Sequence, residues 1–243
     1  MRRPVQLSRC SQDCTTSFGL PCTTRPAGRG RARSGDCPAS VSSSEGLPRD
    51  RYCHGMSASP QTLSLAHRRV VAWWAADCAA SALAIFEDAS PDDARVRVAI
   101  DQARAFARGG IAVAEAIRRR GGAAGASARE APTPAATAAA YSAEQAAAVA
   151  RMGAHALGAA GYAVKARLLT RGSPAGQGAD ADILAEVRGQ VELMSPEVVN
   201  ALELLPTLGT NGAGPLAEGR LSRGVVGEAI RELQAEVGRR ARP

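Results

Sequence analysis

The stretch VVAWWAADCAASALAIFE, residues 70–87, decides the fold class because its apolar residues recur at helical spacing. Side chains three or four positions apart share one face of an amphipathic helix. The residues on this face are Val70, Trp74, Cys78, Ala82, Ile85 and Phe86. We therefore predict a helix from about Thr62 to Glu87 with its apolar face buried.

Trp73, Asp77 and Cys78 are the candidates for function in this stretch. Cys78 could be a nucleophile, but its place on the apolar face favours a buried, unreactive thiol. Asp77 could be a base, although a helix-borne carboxylate near arginines is more often an ion-pair partner, and Arg97 or Arg104 of the next helix could pair with it. Successive residues diverge by about 100° around a helix, so Trp73 is expected at an edge while Trp74 enters the core.

Composition extends the helical prediction to the rest of the folded chain. Of the 243 residues 45% are hydrophobic but only 3% are aromatic, and alanine supplies much of the apolar content. Small side chains allow helices to approach closely, so we predict an all-α bundle of about six to seven helices. A long Ala-rich central helix is predicted from about Thr137 to Leu169. Its small residues are Gly153, Ala156, Ala160 and Gly161.

Capping residues suggest where the other helices begin. Ser90, followed by Pro91 and with Asp93 at the capping-box position, predicts a helix start at residue 91. A helix over 111–131 is weakened by glycines, another covers 180–194, and a short one starts at Ser195-Pro196. Ser222 is expected to cap a terminal helix. Its apolar stripe would comprise Val226, Ala229, Ile230, Leu233 and Val237.

Residues 1–55 have a different composition from the rest. They are rich in Arg, Ser, Thr, Pro and Gly and lack apolar periodicity, so we predict a disordered segment. Five of the six cysteines lie there without a CxxC pair, which disfavours a zinc site. Because helical patterning begins soon after Met56, we hypothesise that translation starts at Met56 and that residues 56–243 form the folded domain.

Charge and motif content narrow the possible functions. The formal charge is +7, but nine arginines and four acids lie in residues 1–55, which leaves +2 on residues 56–243. Nucleic-acid binding by the folded part is therefore disfavoured.

His155 has Arg151, a cation, one turn before it, so a helical metal pair is not expected. No phosphate-binding loop, dinucleotide motif or nucleophile elbow occurs, and no cofactor is predicted. Without a membrane-span pattern, a soluble cytoplasmic protein is expected.

Four segments together carry a family resemblance. They are WWAADCA from Trp73, PDDARVRVAIDQARAFARG from Pro91, AAAVARMGAHALGAAGYAVKA from Ala146 and GQVELMSPEVVNALELLP from Gly189. Over about residues 62–238 the chain resembles the small all-helical immunity proteins found mainly in actinobacteria and associated with polymorphic toxin systems. The family's histidine pair is incomplete here, since Arg151 stands at the position of its first histidine.

The resemblance implies a non-catalytic protein that binds and neutralises a cognate toxin. The candidate residues for partner contact, or for a structural polar network, are Trp73, Asp77, Arg97, Arg104, Arg108 and His155. Two other classes stay open at this point: a nucleic-acid-associated helical protein, and an enzyme with an unrecognised helical active site. The sequence leaves the oligomeric state and the identity of the toxin undetermined.

Overall fold

A computed structural model describes residues 59–119, 121–172 and 179–242. The predicted disordered segment 1–55 and the proposed start at Met56 lie outside these residues. The described ranges hold ten α-helices and no strand; an isolated bridge joins Asn211 and Ala217. The helices are α1 (Leu65–Ala80), α2 (Leu83–Ala89), α3 (Arg95–Ala107), α4 (Val113–Arg119), α5 (Gly122–Glu130), α6 (Pro134–Ala148), α7 (His155–Thr170), α8 (Ala179–Glu192), α9 (Pro196–Glu203) and α10 (Gly224–Arg240).

The all-α bundle is confirmed, and its centre is the Ala-rich pair α6 and α7. Alanine lines both helices where they meet, so their backbones approach closely and the Ser142 hydroxyl donates to the Ala159 carbonyl over 2.7 Å. Helices α1, α2, α3 and α5 pack against α6, while α10 packs against α7. Larger side chains from the outer helices, among them Trp74, Phe86 and Phe106, fill the space around this pair.

The predicted single central helix is wrong, because α6 ends at Ala148 and α7 begins at His155. The segment before α1 satisfies main-chain groups at the break. Gly153 N–H donates to Thr62 O and Ala154 N–H to Gln61 O, each over 3.0 Å, while Arg68 Nη1 donates to Ala150 O over 2.5 Å. Tertiary hydrogen bonds therefore replace the helical ladder that the alanine content alone would favour.

The predicted first helix is also divided. Helix α1 ends at Ala80, where the Ser81 hydroxyl donates to Cys78 O over 2.7 Å, and α2 restarts at Leu83 with a bend of 44°. A serine hydroxyl that bonds a nearby carbonyl competes with the helical hydrogen bond, which explains a stop inside an otherwise continuous apolar pattern. Helix α2 thereby turns so that Phe86 enters the core.

Three other boundaries differ from the predictions, and ten helices replace the expected six to seven. Helix α3 begins at Arg95 with Ala94 as N-cap, because Ser90 instead ends α2 and the Asp93 carboxylate receives the Arg95 N–H. Gly121, in a left-handed conformation, separates α4 from α5. Ser222 bonds with Gly219, so Arg223 occupies the N-cap of α10.

The terminal helix closes the bundle as predicted. Every member of its predicted stripe is buried, and α10 contacts α7 at Gly161, where an added Cβ would lie 3.1 Å from Val226 Cγ1 and 3.2 Å from the Val226 carbonyl oxygen. Glycine at this position therefore permits the close approach of the two helices. Ser195 caps α9 as predicted, since its hydroxyl accepts from Val198 N–H over 3.4 Å.

Candidate functional site

Helices α1 and α3 carry most of the predicted site residues, which face one another in pairs. Arg104 Nη2 lies 3.1 Å from Asp77 Oδ1, and the Arg108 guanidinium carbon lies 5.7 Å from the centre of the Trp73 ring. Trp73 precedes Asp77 on α1, whereas its partner Arg108 follows Arg104, the partner of Asp77. The two helices therefore run antiparallel. We call these two contacts, together with the flanking Arg69, the α1–α3 ladder.

The two adjacent tryptophans have opposite environments, as predicted. Trp74 is 1% exposed, and its indole Nε1–H donates to Gln190 O of α8 over 2.9 Å. Trp73 is 43% exposed, and Arg108 lies over its ring in cation–π geometry. Trp74 therefore joins α1 to α8, whereas Trp73 presents an aromatic surface to the outside of the molecule.

Cys78 is buried, in agreement with the interpretation of it as a core residue. Burial, followed by the negative charge of Asp77, raises the pKa of the Cys78 thiol well above its usual value. A thiol is nucleophilic only as the thiolate, so both the environment and the lack of access oppose reaction at this sulfur. Asp77 itself pairs with Arg104, one of the two partners predicted for it.

Arg97 makes a different contact from the one considered for it. Its Nη2 lies 2.5 Å from Glu87 Oε1 of α2, so it does not pair with Asp77. Arg104 also lies 4.0 Å from Asp101, whose side chain is 65% exposed. The charges of Arg97 and Arg104 are therefore largely balanced within the fold, and Arg108 is the predicted arginine whose guanidinium contacts an aromatic ring instead.

Arg69 belongs to the same surface, although the sequence reasoning did not single it out. It lies one turn before Trp73 on α1, and a methyl group added at Gly109 would lie 3.4 Å from the Arg69 guanidinium carbon. Its Nε is buried without a hydrogen-bond partner among the described residues. The spacing of four between Arg69, Trp73 and Asp77 was the available signal for this third position.

His155 lies elsewhere, at the first residue of α7. Its Nδ1 is 2.8 Å from Gln145 Oε1 of α6. Burial, assisted by the nearby charge of Arg151, lowers the pKa of His155 to about 4, so the imidazole is neutral at pH 7. Arg151, which stands where the family resemblance predicts a histidine, thus favours the neutral imidazole. The hydrogen bond between His155 and Gln145 joins α7 to α6.

A second polar network was missed by the sequence reasoning. The buried Glu186 carboxylate of α8 lies 2.5 Å from Nε of Arg167, on α7, and 2.6 Å from Nη2 of Arg171, the C-cap residue of α7. Beside it, Gln190 Nε2 donates to the Ser81 hydroxyl over 3.4 Å. Glu186 and Gln190 have no distinctive spacing in the sequence, so only the packing of α8 on α7 reveals their role.

Over residues 59–119, 121–172 and 179–242 no group of three or more His, Cys, Asp or Glu side chains could hold a metal ion. In the same ranges no single helix is long and apolar enough to cross a membrane. The bent pair α1–α2 reaches the necessary length and apolar content only when its two helices are counted together.

Comparison with protein families identifies the chain. The model of the Imm-5 like putative immunity protein family matches residues 61–197. The chain belongs to this family. The match begins at Gln61, includes the α1–α3 ladder and the α6–α7 centre, and ends as α9 begins. Neither the curated proteins nor the solved structures yield a match to this immunity-family protein.

Proposed function

We propose that this protein binds a cognate toxin protein in the cytoplasm and neutralises it by occupying its surface, without chemistry of its own. The observation that carries the proposal is membership of the immunity family over residues 61–197. A neutraliser needs a rigid, specific surface, and an interface of standard size buries about 800 Å² on each partner.

The placement of the reactive side chains supports a binding role. Cys78 is buried with a raised thiol pKa, Asp77 is paired with Arg104, and His155 is hydrogen-bonded to Gln145. Each of these groups thus stabilises contacts between helices. The α1–α3 ladder instead offers an exposed tryptophan beside arginine, the residue types that most often dominate binding energy at protein interfaces.

The experiment that tests this function has two steps. The tagged full chain is used to capture proteins from nuclease-treated lysate of the source organism, and each protein captured at near-equal amount is then expressed alone and with the chain. We expect one captured protein to stop growth when expressed alone and to lose that effect when the chain is present. If every captured protein is harmless alone, or stays toxic beside the chain, the proposed function is wrong.

A further inference from the structure

We infer that Arg69, Trp73 and Arg108, which we call the Arg–Trp patch, form the docking surface for a carboxylate-rich segment of the partner protein. The inference rests on the proposed function, because it names the surface and the partner chemistry that the neutraliser would use. It starts from the arrangement of the α1–α3 ladder, in which the Arg108 guanidinium lies over an exposed indole and Arg69, one turn earlier on α1, places its guanidinium beside Gly109.

The two arginines of the patch differ from Arg97 and Arg104 of α3. Arg97 and Arg104 are paired with Glu87 and Asp77, whereas neither Arg69 nor Arg108 forms an ion pair anywhere in the described part of the chain. Two guanidinium groups without an ion pair, carried by facing segments of the chain, create a local positive field. A carboxylate is the protein group that matches guanidinium geometry, through two parallel hydrogen bonds.

Trp73 supplies the apolar part of the same surface. Its indole is 43% exposed, and Arg108 lies over the ring, so the aromatic group and the cation are held together before any partner arrives. Groups that are ordered in advance lose less conformational entropy on binding. Tryptophan and arginine at the centre of an interface typically account for a large share of the binding energy.

The limits of the patch favour an acidic protein segment over a nucleic acid. Beyond the patch, Asp77 lies one turn after Trp73 on α1, and Asp101 lies on α3 with a 65% exposed side chain. The exposed Asp101 carboxylate would repel a phosphate backbone that continued past the patch along α3. Proteins that bind nucleic acid tightly commonly contact about six to ten phosphates, whereas the positive part of this surface has two free cations. A short cluster of Asp or Glu side chains needs no more than these two cations.

The test uses the full chain labelled with 5-fluorotryptophan and observed by ¹⁹F NMR. The chain has two tryptophans, and their resonances are assigned with Trp73→Phe. The probes are a capped decapeptide of glutamate and, at equal charge, an eleven-nucleotide oligothymidylate without a terminal phosphate. Trp74 is the internal control, because it is buried one position away from Trp73. Residues 1–55 carry nine further arginines, and the double variants described next distinguish binding at those arginines from binding at the patch.

We expect the glutamate peptide to shift the Trp73 resonance saturably and to leave the Trp74 resonance in place. The double variant Arg69→Gln/Arg108→Gln should weaken that binding about tenfold. The matched control Arg188→Gln/Arg223→Gln removes two exposed arginines from α8 and from the N-cap of α10, and should change it less than twofold. The proposal is overturned if the peptide leaves Trp73 unshifted, if both double variants weaken binding equally, or if the oligothymidylate binds as tightly as the peptide.

Two further readouts separate this inference from the proposed function. A Trp73 resonance that moves with protein concentration alone would assign the patch to a second copy of the chain and overturn the inference. In the growth assay, Arg69→Gln/Arg108→Gln should protect poorly against the toxin that the wild-type chain neutralises. Full protection by this variant would refute the docking role of the Arg–Trp patch and leave the proposed neutralising function intact. Failure of the wild-type chain to protect would refute the neutralising function itself.

Discussion

The guanidinium of Arg104 donates to the Asp77 carboxylate over 3.1 Å and so joins α3 to α1. Both side chains are about one-third exposed, so water and salt screen the pair. Asp77 stands beside Cys78 on α1, and its charge contributes to the raised pKa of the buried thiol. The Asp-Cys dipeptide thus combines an interhelical ion pair with a core side chain.

The first prediction concerns the strength of this ion pair. Removing Asp77 and Arg104 singly and together, as Asp77→Asn and Arg104→Gln, should give a coupling of about 0.5 kcal/mol in the free energy of unfolding, because partly exposed pairs contribute little. The measurement is urea unfolding of the four proteins of the cycle. Arg97→Gln is the control, since Arg97 pairs with Glu87 and should show no coupling with Asp77→Asn. Coupling to Arg97 as strong as that to Arg104 would contradict the assigned pairing.

The second prediction contrasts the two tryptophans. Trp74→Phe removes the donor to Gln190 O and leaves a buried carbonyl without its partner and a gap beside it, so it should destabilise the fold by about 2–4 kcal/mol. Trp73→Phe keeps an aromatic group at an exposed position and should cost about 0.5 kcal/mol or less. Thermal and urea unfolding of both variants check this. Equal losses would show that the two indoles do not differ in their structural role.

Side-chain periodicity was the part of the sequence that predicted the structure best. It separated Trp73 from Trp74, placed Cys78 in the core and identified the buried face of α10, because each inference depends only on helical geometry and burial. The ion pair of Asp77 was anticipated as one of two alternatives. The sequence could not choose between Arg97 and Arg104, since that choice depends on the antiparallel offset of α1 and α3.

Helix boundaries were predicted less well, and the reason is tertiary. The alanine content favoured one helix through residues 149–154, but hydrogen bonds from Gly153 and Ala154 to the segment before α1 favour the break. Ser90 and Ser222 looked like N-caps, yet each is used by a neighbouring turn. Glu186 had no local signal, and Arg69 had only its spacing of four from Trp73, because the environments of both residues are set by segments distant in the sequence.

The third prediction concerns Gly121, between α4 and α5. Its φ is +62°, and an added Cβ would lie 2.9 Å from both Cα and O of Glu144 in α6. Gly121→Ala combines an unfavourable backbone conformation with a clash against main-chain atoms, so it should destabilise the fold by about 1–3 kcal/mol. Gly122→Ala is the matched control, because nothing lies within 4 Å of that Cβ position. Urea unfolding should find the control unchanged or slightly stabilised; a comparable loss in both variants would refute the account.

The fourth prediction follows from the neutral state of His155. Burial lowers the pKa of His155 from 6.5 to about 4, so between these values the unfolded chain binds a proton that the folded chain does not. The contribution of the neutral imidazole to stability is therefore fully present above pH 6.5 and is lost as the pH falls towards 4. By linkage, one pH unit in that window corresponds to at most about 1.4 kcal/mol for this single group.

His155→Gln replaces the imidazole by a side chain that does not titrate and can still bond Gln145. Between pH 7.5 and pH 4 the wild-type protein should lose about 2–3 kcal/mol more stability than this variant, measured by urea unfolding at each pH. Carboxylates that titrate in the same range contribute to both proteins, so the difference isolates His155. His67→Gln retains His155 and should keep the extra loss. Parallel pH curves for the wild-type protein and His155→Gln would show that the His155 imidazole does not couple folding to protonation.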